Sequence, residues 1–84
     1  MSKQVPFEIK QEFVELSRTA TTRKVLALVS WNGAPAKIDL RTWREDEDGS
    51  LLPGRGVTLT GQEAASLSAA LNLIQEQSRQ ARQQ

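Results

Sequence analysis

The segment Lys37-Ile-Asp-Leu-Arg-Thr-Trp-Arg44 decides the predicted fold, because it has the clearest strand pattern in the chain. Side chains of different character alternate along it, which is the period of a β-strand whose two faces have different surroundings. One face carries Ile38, Leu40 and Thr42, and the other carries Lys37, Asp39, Arg41 and Trp43. The segment therefore predicts a strand with one mainly apolar face and one face that combines cations with an aromatic ring.

Three more strands are predicted around this segment. Lys24–Asn32 is rich in β-branched and apolar residues and ends in Asn32-Gly33, a turn signal. Phe7–Leu16 alternates with a change of phase that predicts a bulge near Glu12–Phe13, and Arg55–Leu59 is a short fourth strand. Polar stretches at 17–22 and 45–54 predict the remaining connections.

A helix is predicted after the fourth strand. Thr60-Gly-Gln-Glu63 matches a capping box, and from there to about Ser78 the chain is predicted to be a helix with one apolar stripe. The stripe consists of Ala64, Leu67, Leu71 and Ile74. The predicted fold class is therefore α+β: a four-stranded antiparallel meander sheet followed by one C-terminal helix that lies on one face. Residues 1–78 form one domain in this interpretation, and the Gln/Arg tail at 79–84 is frayed.

The composition excludes several kinds of chemistry. The 84 residues include no His and no Cys, which removes the commonest general base, thiol nucleophiles and thiolate or imidazole metal sites. We therefore expect no enzyme activity, cofactor, metal or small-molecule substrate. The longest apolar run, Val25–Val29, is too short to cross a membrane, and the N-terminus does not resemble a signal peptide. These features predict a soluble, cytoplasmic protein.

The charges are distributed unevenly along the chain. The formal net charge is +1, but residues 17–44 carry +5 and the run Glu45-Asp-Glu-Asp48 carries −4. The acidic run does not have the ligand spacing of an EF-hand and is interpreted as a solvated turn. Residues 49–55 resemble a phosphate-binding loop only superficially, because Arg55-Gly56 replaces the required Lys-Ser/Thr pair.

The cationic and aromatic face of the central strand is the main candidate site. An indole ring is a surface on which bases stack, and neighbouring cations hold phosphates. Trp31, which lies before the Asn32-Gly33 turn, extends this surface. The alternative is that both Trp residues are core and that Lys37 and Arg41 form a solvated edge. Because Ile38 and Leu40 occupy the face that the helix covers, Trp43 needs a ligand or a partner subunit to cover it. Arg18, Arg23 and Lys24 flank a polar loop, where they either grip a nucleic-acid backbone or serve solubility.

These segments together resemble a known family. Ile38-Asp-Leu-Arg-Thr-Trp43, an acidic turn, Pro53-Gly-Arg-Gly-Val-Thr-Leu59 and a capped helix are similar to the transcriptional coactivator p15 family, also called PC4, and most of all to its small bacterial YdbC-like members. Val29–Gly33 and Phe7–Ile9 fit as well, so the resemblance covers about residues 5–75. It implies a homodimer that binds single-stranded DNA in a positively charged groove of curved sheets, where aromatic residues stack on bases.

The resemblance also implies roles for individual residues. The family's aromatic residue before the second turn falls on Trp31, and its strand-three cation falls on Arg41. Its aromatic residue at the end of that strand falls on Trp43, or on Arg44 if the register moves by one. The hairpin Pro-Gly-Arg falls on Pro53–Arg55, but Leu52 stands where a Lys is often found and one residue is missing after Arg55.

The resulting hypothesis is a homodimer that binds single-stranded DNA without sequence preference, nucleoid-associated, in transcription or single-strand protection. The predicted nucleic-acid contacts are Trp31, Lys37, Arg41, Trp43, Arg44, Arg55, Lys24 and Arg23, and the predicted dimer contacts are Leu67, Leu71 and Ile74. Two alternatives stay open: single-stranded RNA as the ligand, or a dimeric protein-interaction module that uses an exposed Trp face.

Overall fold

A computed structural model of the chain describes residues 6–82. Its elements, in chain order, are β1 (Phe7–Arg18), β2 (Thr22–Trp31), β3 (Lys37–Glu45), β4 (Leu51–Leu59) and α1 (Gly61–Arg82). The four strands form one antiparallel sheet in the order β1-β2-β3-β4. The predicted β-β-β-β-α order and the meander topology are therefore confirmed.

The sheet is irregular along β1. Its pairing with β2 shifts at three places, between Ile9 and Gln11, between Glu12 and Val14, and between Glu15 and Ser17. The middle shift skips Phe13 and is the bulge that the change of phase predicts. Each bulge bends the strand and increases its twist, so three of them in one edge strand favour a curved sheet.

The buried core lies on one face of this sheet, which we call the inner face. Its fully buried apolar side chains are Val25, Ala27, Val29 and Trp43, and Phe7, Ile9, Trp31 and Leu51 pack against them. The opposite or outer face carries Leu26, Leu28, Ile38 and Leu40, all of them only half-buried. The expectation that the face beneath the helix is the main core, leaving Trp43 uncovered, is therefore wrong. The sheet and its own aromatic side chains bury the inner face without a second layer.

Two connections are shorter than predicted. The β1–β2 turn leaves only residues 19–21 outside the strands, because Arg18 pairs with Arg23 in the sheet. β4 begins at Leu51 instead of Arg55, since Leu51 packs against the core and Pro53 lies in an edge strand, where a missing N–H is tolerated.

The predicted turns form as their residues suggest. Asn32 and Gly33 have φ angles of 53° and 77°, and the Ala34 amide donates to the Trp31 carbonyl at 2.9 Å, as in a tight hairpin turn with two left-handed residues. The acidic run forms an exposed turn in which the Asp46 carboxylate accepts hydrogen bonds from the Asp48 and Ser50 amides.

The helix begins with the predicted capping box. The Glu63 amide donates to the Thr60 hydroxyl at 3.0 Å, and the Thr60 amide donates to the Glu63 carboxylate at 2.8 Å. The helix continues to Arg82, four residues beyond the predicted end, so most of the stretch that we expect to be frayed is helical. Residues 83–84 of that stretch lie outside the described residues. In the part of the chain that the structure describes, no helix is long and apolar enough to span a membrane.

The helix closes against the sheet only near β4 and borders an open apolar groove over the outer face. The groove has a volume of about 570 Å³. Sheet residues on one wall include Phe13, Leu26, Leu28 and Ile38, and helix residues on the other include Leu67 and Leu71. The protomer therefore leaves most of the helix stripe uncovered.

Candidate nucleic-acid interface

A buried carboxylate organises the end of the inner face near Trp31. Asp39 has no solvent exposure. It accepts two hydrogen bonds from Arg41, from Nε to Oδ1 and from Nη2 to Oδ2, both at 3.0 Å. Its Oδ2 also accepts a hydrogen bond from the Trp31 indole nitrogen at 3.3 Å. One carboxylate thus orients two of the predicted contact residues.

Arg41 connects this cluster to the edge of the sheet. Its Nη1 donates to the Gly54 carbonyl at 2.8 Å, and its guanidinium carbon lies 4.8 Å from the centre of the Trp31 ring. That distance is within the range of a cation–π contact. The Arg41 side chain is only 15% exposed. Its charge is therefore balanced within the protein, in contrast to the free phosphate-binding cation that the sequence predicts.

The two indole rings have different environments. Trp31 is partly exposed, whereas Trp43 is 1% exposed and packs against Phe7, with ring centroids 4.9 Å apart. The two indoles lie parallel at 6.0 Å. The expectation that Trp43 presents an open stacking surface is therefore not met in the protomer. Trp43 is buried against Trp31, and Trp31 is the indole that remains partly exposed to solvent.

Arg23, another predicted contact, belongs to an ion-pair network at the other end of the inner face. It donates to Glu15 at 2.7 Å and to both Glu12 oxygens at 2.9 Å. Arg18 also binds Glu15, at 2.8 Å, and lies 3.5 Å from Glu45. The hydrogen bonds from Arg18 and Arg23 lower the pKa of Glu15 to about 2. Arg23 is 15% exposed, and the carboxylates of Glu12 and Glu15 balance its charge within the protein.

Four of the predicted cations make no ion pair with any carboxylate of residues 6–82, and we call them the unpaired cations: Lys24, Lys37, Arg44 and Arg55. All four are exposed. Lys24 lies opposite Thr42 on the outer face, diagonal to Arg44, and shares a shallow groove with Arg55 and Val57. Lys37 lies on the inner side, opposite Val29. The predicted contacts are thus divided between both faces and the β4 edge.

Arg55 owes its position to an irregularity in β4. Arg41 is paired with Gly56 and Trp43 with Pro53, so Gly54 and Arg55 together face Thr42. A Cβ atom on Gly54 would lie 2.6 Å from the Thr42 carbonyl oxygen, which explains the glycine. Arg55 directly follows Gly54, whose carbonyl accepts the hydrogen bond from Arg41. An unpaired cation therefore lies at the sheet edge beside the side chains of Trp31, Asp39 and Arg41, which we call the Trp31 cluster.

The predicted dimer contacts are exposed in the protomer. Leu67, Leu71 and Ile74 are 40%, 49% and 57% exposed, and Leu73 is 60% exposed. Leu67 and Leu71 line the groove over the outer face. Leu67, Leu71 and Ile74 lie on one side of the helix, whereas Leu73 points about 120° away from them.

Comparison with known proteins identifies the family of the chain. Residues 19–70, more than half of the chain, match the family described as Transcriptional Coactivator p15 (PC4). The chain belongs to the PC4 family. The match begins in the β1–β2 turn and ends within α1, and it includes Trp31, Asp39, Arg41 and Arg55. The resemblance that the sequence predicts is therefore confirmed.

A bacterial protein is similar to part of the chain. A protein of Treponema pallidum (strain Nichols) named "Uncharacterized protein" is 45% identical over 47 residues, which are 56% of this PC4-family chain and 52% of that protein. The chain thus spans about half the length of this relative.

Sequence reasoning missed three acidic residues that define the site. The alternation predicts Asp39 on the same face as Arg41 and Trp43, but not that its carboxylate binds Arg41 and Trp31. Glu12 and Glu15 neutralise Arg23 across the irregular β1–β2 pairing. The i, i+2 spacing of Asp39 and Arg41 was a usable signal for the first pair. Within residues 6–82 no group of three potential metal ligands comes together.

Proposed function

We propose that this protein binds single-stranded DNA without sequence preference, as a homodimer, in transcription regulation or in the protection of single strands. The observation that carries the proposal is the partly exposed Trp31 ring, held by Asp39 and Arg41 at the end of a sheet that also bears unpaired cations. An aromatic ring offers a sequence-tolerant stacking surface, worth about 1–3 kcal/mol per base. Membership of the PC4 family supports the same assignment.

Phosphate contacts are assigned to the unpaired cations. Arg55 lies beside the Gly54 carbonyl that Arg41 binds, so a strand stacked on Trp31 reaches Arg55 at the β4 edge and then Lys24 and Arg44. Lys37 lies on the inner side of β3, the strand that carries Asp39 and Arg41. Because Arg23 and Arg41 are already paired with carboxylates, we assign them to positioning and stability.

The surface area supports a dimer. A monomeric protein of this mass is expected to expose about 5,000 Å², whereas the protomer exposes 6650 Å². The excess exceeds the roughly 800 Å² that one partner buries in a standard interface. The groove between the helix and the outer face supplies the apolar part of that surface. We therefore assign Leu67, Leu71 and Ile74 to contacts with a second copy.

Tryptophan fluorescence tests this function. The protein is titrated with oligo-dT and with the corresponding duplex at two salt concentrations. We expect quenching by the single strand, weaker binding of the duplex, and a steep loss of affinity as salt rises, because phosphate contacts release counterions. Unchanged emission with both oligonucleotides would contradict the proposal.

The two alternatives make different predictions in the same assay. If RNA is the natural ligand, oligo-U competes better than oligo-dT. Such a preference requires a polar group of the protein that contacts the 2′-hydroxyl of RNA. If the Trp31 surface binds a protein, the affinity of that complex changes little with salt and neither oligonucleotide competes. We propose no enzymatic activity, because the Asp39 carboxylate is buried and holds hydrogen bonds from Arg41 and Trp31.

A further inference from the structure

We propose that Asp39 is a positioning residue for nucleic-acid binding, and that it makes the contribution of Arg41 and Trp31 independent of salt. By a positioning residue we mean one that does not touch the ligand and acts through the side chains that it holds. This inference rests on the proposed single-strand binding.

Asp39 is a charged side chain that is fully buried in the sheet. A fully buried carboxylate is strongly unfavourable unless it is paired and hydrogen-bonded. Asp39 meets that requirement with three hydrogen bonds: two from the Arg41 fork and one from the Trp31 indole. All three restrain groups that would face a ligand, so the carboxylate fixes the Trp31 cluster before any ligand arrives.

The charge of Arg41 is already balanced within the protein. Its guanidinium forms a bidentate pair with Asp39 and spends a further N–H on the Gly54 carbonyl. A cation that is already neutralised holds few counterions, so placing it near a nucleic acid releases few of them. Arg41 therefore contributes through its guanidinium group, whose carbon lies 4.8 Å from the centre of the Trp31 ring, since bases also stack on guanidinium planes.

Binding then has two parts that respond differently to salt. The unpaired cations Lys24, Lys37, Arg44 and Arg55 supply the part that weakens with salt. The pre-positioned Trp31–Arg41 pair supplies a part that persists at high salt. Removing the Asp39 carboxylate frees the charge of Arg41. Arg41 then contributes to the part of binding that weakens with salt.

The test measures the dissociation constant for oligo-dT against salt for the full chain and for Asp39→Asn. We expect the affinity extrapolated to 1 M salt to fall about tenfold, which is within the range of one base-stacking contact. We expect the slope of log affinity against log salt to steepen by about 0.7, the value of one further phosphate contact on a single strand. Glu47→Gln, the same change of charge in the exposed turn, is the control and leaves both quantities near those of the wild type.

Two more variants keep the proposal testable if Asp39→Asn fails to fold. Arg41→Lys keeps a cation beside Asp39 but loses the planar fork, so affinity falls about fivefold or more at every salt concentration with an unchanged slope. The double variant Asp39→Asn/Arg41→Gln has no free charge at this position. It keeps the wild-type slope and the lowered affinity at high salt.

The outcomes distinguish this inference from the proposed function. If the wild-type protein does not bind oligo-dT, the proposed function and this inference both fail. If the wild type binds and the folded variants keep its slope and its affinity at 1 M salt, the function stands and the positioning role is wrong. A smaller fraction of competent protein with an unchanged dissociation constant also overturns the inference, because it indicates a purely structural role.

Discussion

Arg23 and Trp43 lie directly opposite one another in the β2–β3 pairing, and both side chains make their contacts within the protein. Glu12 and Glu15 bind the guanidinium of Arg23, and Phe7 and Trp31 cover the ring of Trp43. Two residues that have the chemistry of nucleic-acid contacts thus hold the inner face together. We expect the same residue types to contact the proposed ligand only where the sheet leaves them exposed.

The two tryptophans are therefore expected to respond differently to truncation. Trp43→Ala leaves a large cavity in a small core and destabilises the protein by about 3–5 kcal/mol. Trp31→Ala removes a partly exposed ring and mainly weakens oligo-dT binding, by about 1–3 kcal/mol. Urea unfolding and fluorescence anisotropy with a labelled oligonucleotide measure the two effects. Equal losses of stability in both variants would contradict the division of roles.

Trp43→Phe is the conservative control for that comparison. The Trp43 indole nitrogen is buried and has no hydrogen-bond partner among the described residues. An unsatisfied donor costs about 1–3 kcal/mol, so its removal offsets part of the lost ring volume. This variant should fold, and its remaining emission reports on Trp31 alone.

Neutralising the cations should separate ligand contacts from structural ones. Lys24→Gln and Arg55→Gln each reduce the salt slope of oligo-dT binding by about 0.7, because both side chains are exposed and unpaired. Arg23→Gln leaves Glu12 without its cation and removes one of the two cations that bind Glu15, so it lowers the melting temperature and keeps the slope. Affinity measured at four or more salt concentrations gives the slopes. A reduced slope in Arg23→Gln would return this residue to the binding surface.

Acid should weaken the ion-pair network through Glu15. Arg18 and Arg23 lower the pKa of Glu15 in the folded protein to about 2, below its ordinary value of 4.5. The charged carboxylate therefore stabilises the fold fully above about pH 4.5, and this contribution disappears as the pH falls towards 2. Glu15→Gln should lower the melting temperature at pH 7 and differ little from the wild type near pH 2. A melting-temperature difference independent of pH would contradict the assignment.

A charge on the helix stripe should prevent dimerisation. Leu71 is 49% exposed in the protomer and borders the apolar groove, so Leu71→Asp places a carboxylate where a second copy is proposed to pack. We expect sedimentation velocity to show a monomer. Ala69→Asp, about 200° away from Leu67 around the helix, is the matched control and stays dimeric. A wild-type protein that sediments as a monomer at micromolar concentration would refute the proposed dimer.

Gly56 should be intolerant of any side chain. An added Cβ atom would lie 2.5 Å from the Arg41 Cβ and 2.5 Å from the Leu40 carbonyl oxygen, so the backbone of β3 or β4 would have to move. We expect Gly56→Ala to destabilise the protein by about 1–3 kcal/mol and to weaken oligo-dT binding, because it displaces Arg41. Gly61→Ala meets no atom within 4 Å and starts the helix, so it should be neutral or stabilising. Equal stability of the two variants would show that the strands relax easily.

The sequence predicts the elements better than it predicts the faces. Alternation in 37–44, the Asn32-Gly33 turn and the Thr60–Glu63 capping box are local signals, and each forms as predicted. The core forms where Phe7 and Ile9 of β1 pack against the buried residues of β2 and β3. Only one of the three register shifts in β1 shows as a change in the apolar pattern. The burial of Trp43 was therefore beyond the reach of periodicity.

The candidate site has the same limit. The residue types of Trp31, Arg41 and Arg55 suggest nucleic-acid contacts, but their charge state depends on neighbours that pair across strands. Arg23 meets Glu12 and Glu15 only because the shifted β1–β2 register brings them onto one face. Charge counts along the chain cannot reveal such pairs, because the partners are 8 and 11 residues apart in sequence.

The stacked indoles also give the protein an optical signature of its own. Trp31 and Trp43 come from positions eight residues apart in the β2 register, yet their rings are parallel to within 4°. Indoles held rigidly in a packed environment give near-ultraviolet circular dichroism, so the folded protomer should show such a signal from the indole pair. A base that shifts Trp31 changes this signal, and unfolding abolishes it. The inner face can therefore be followed spectroscopically, without a label, while the oligonucleotide binds.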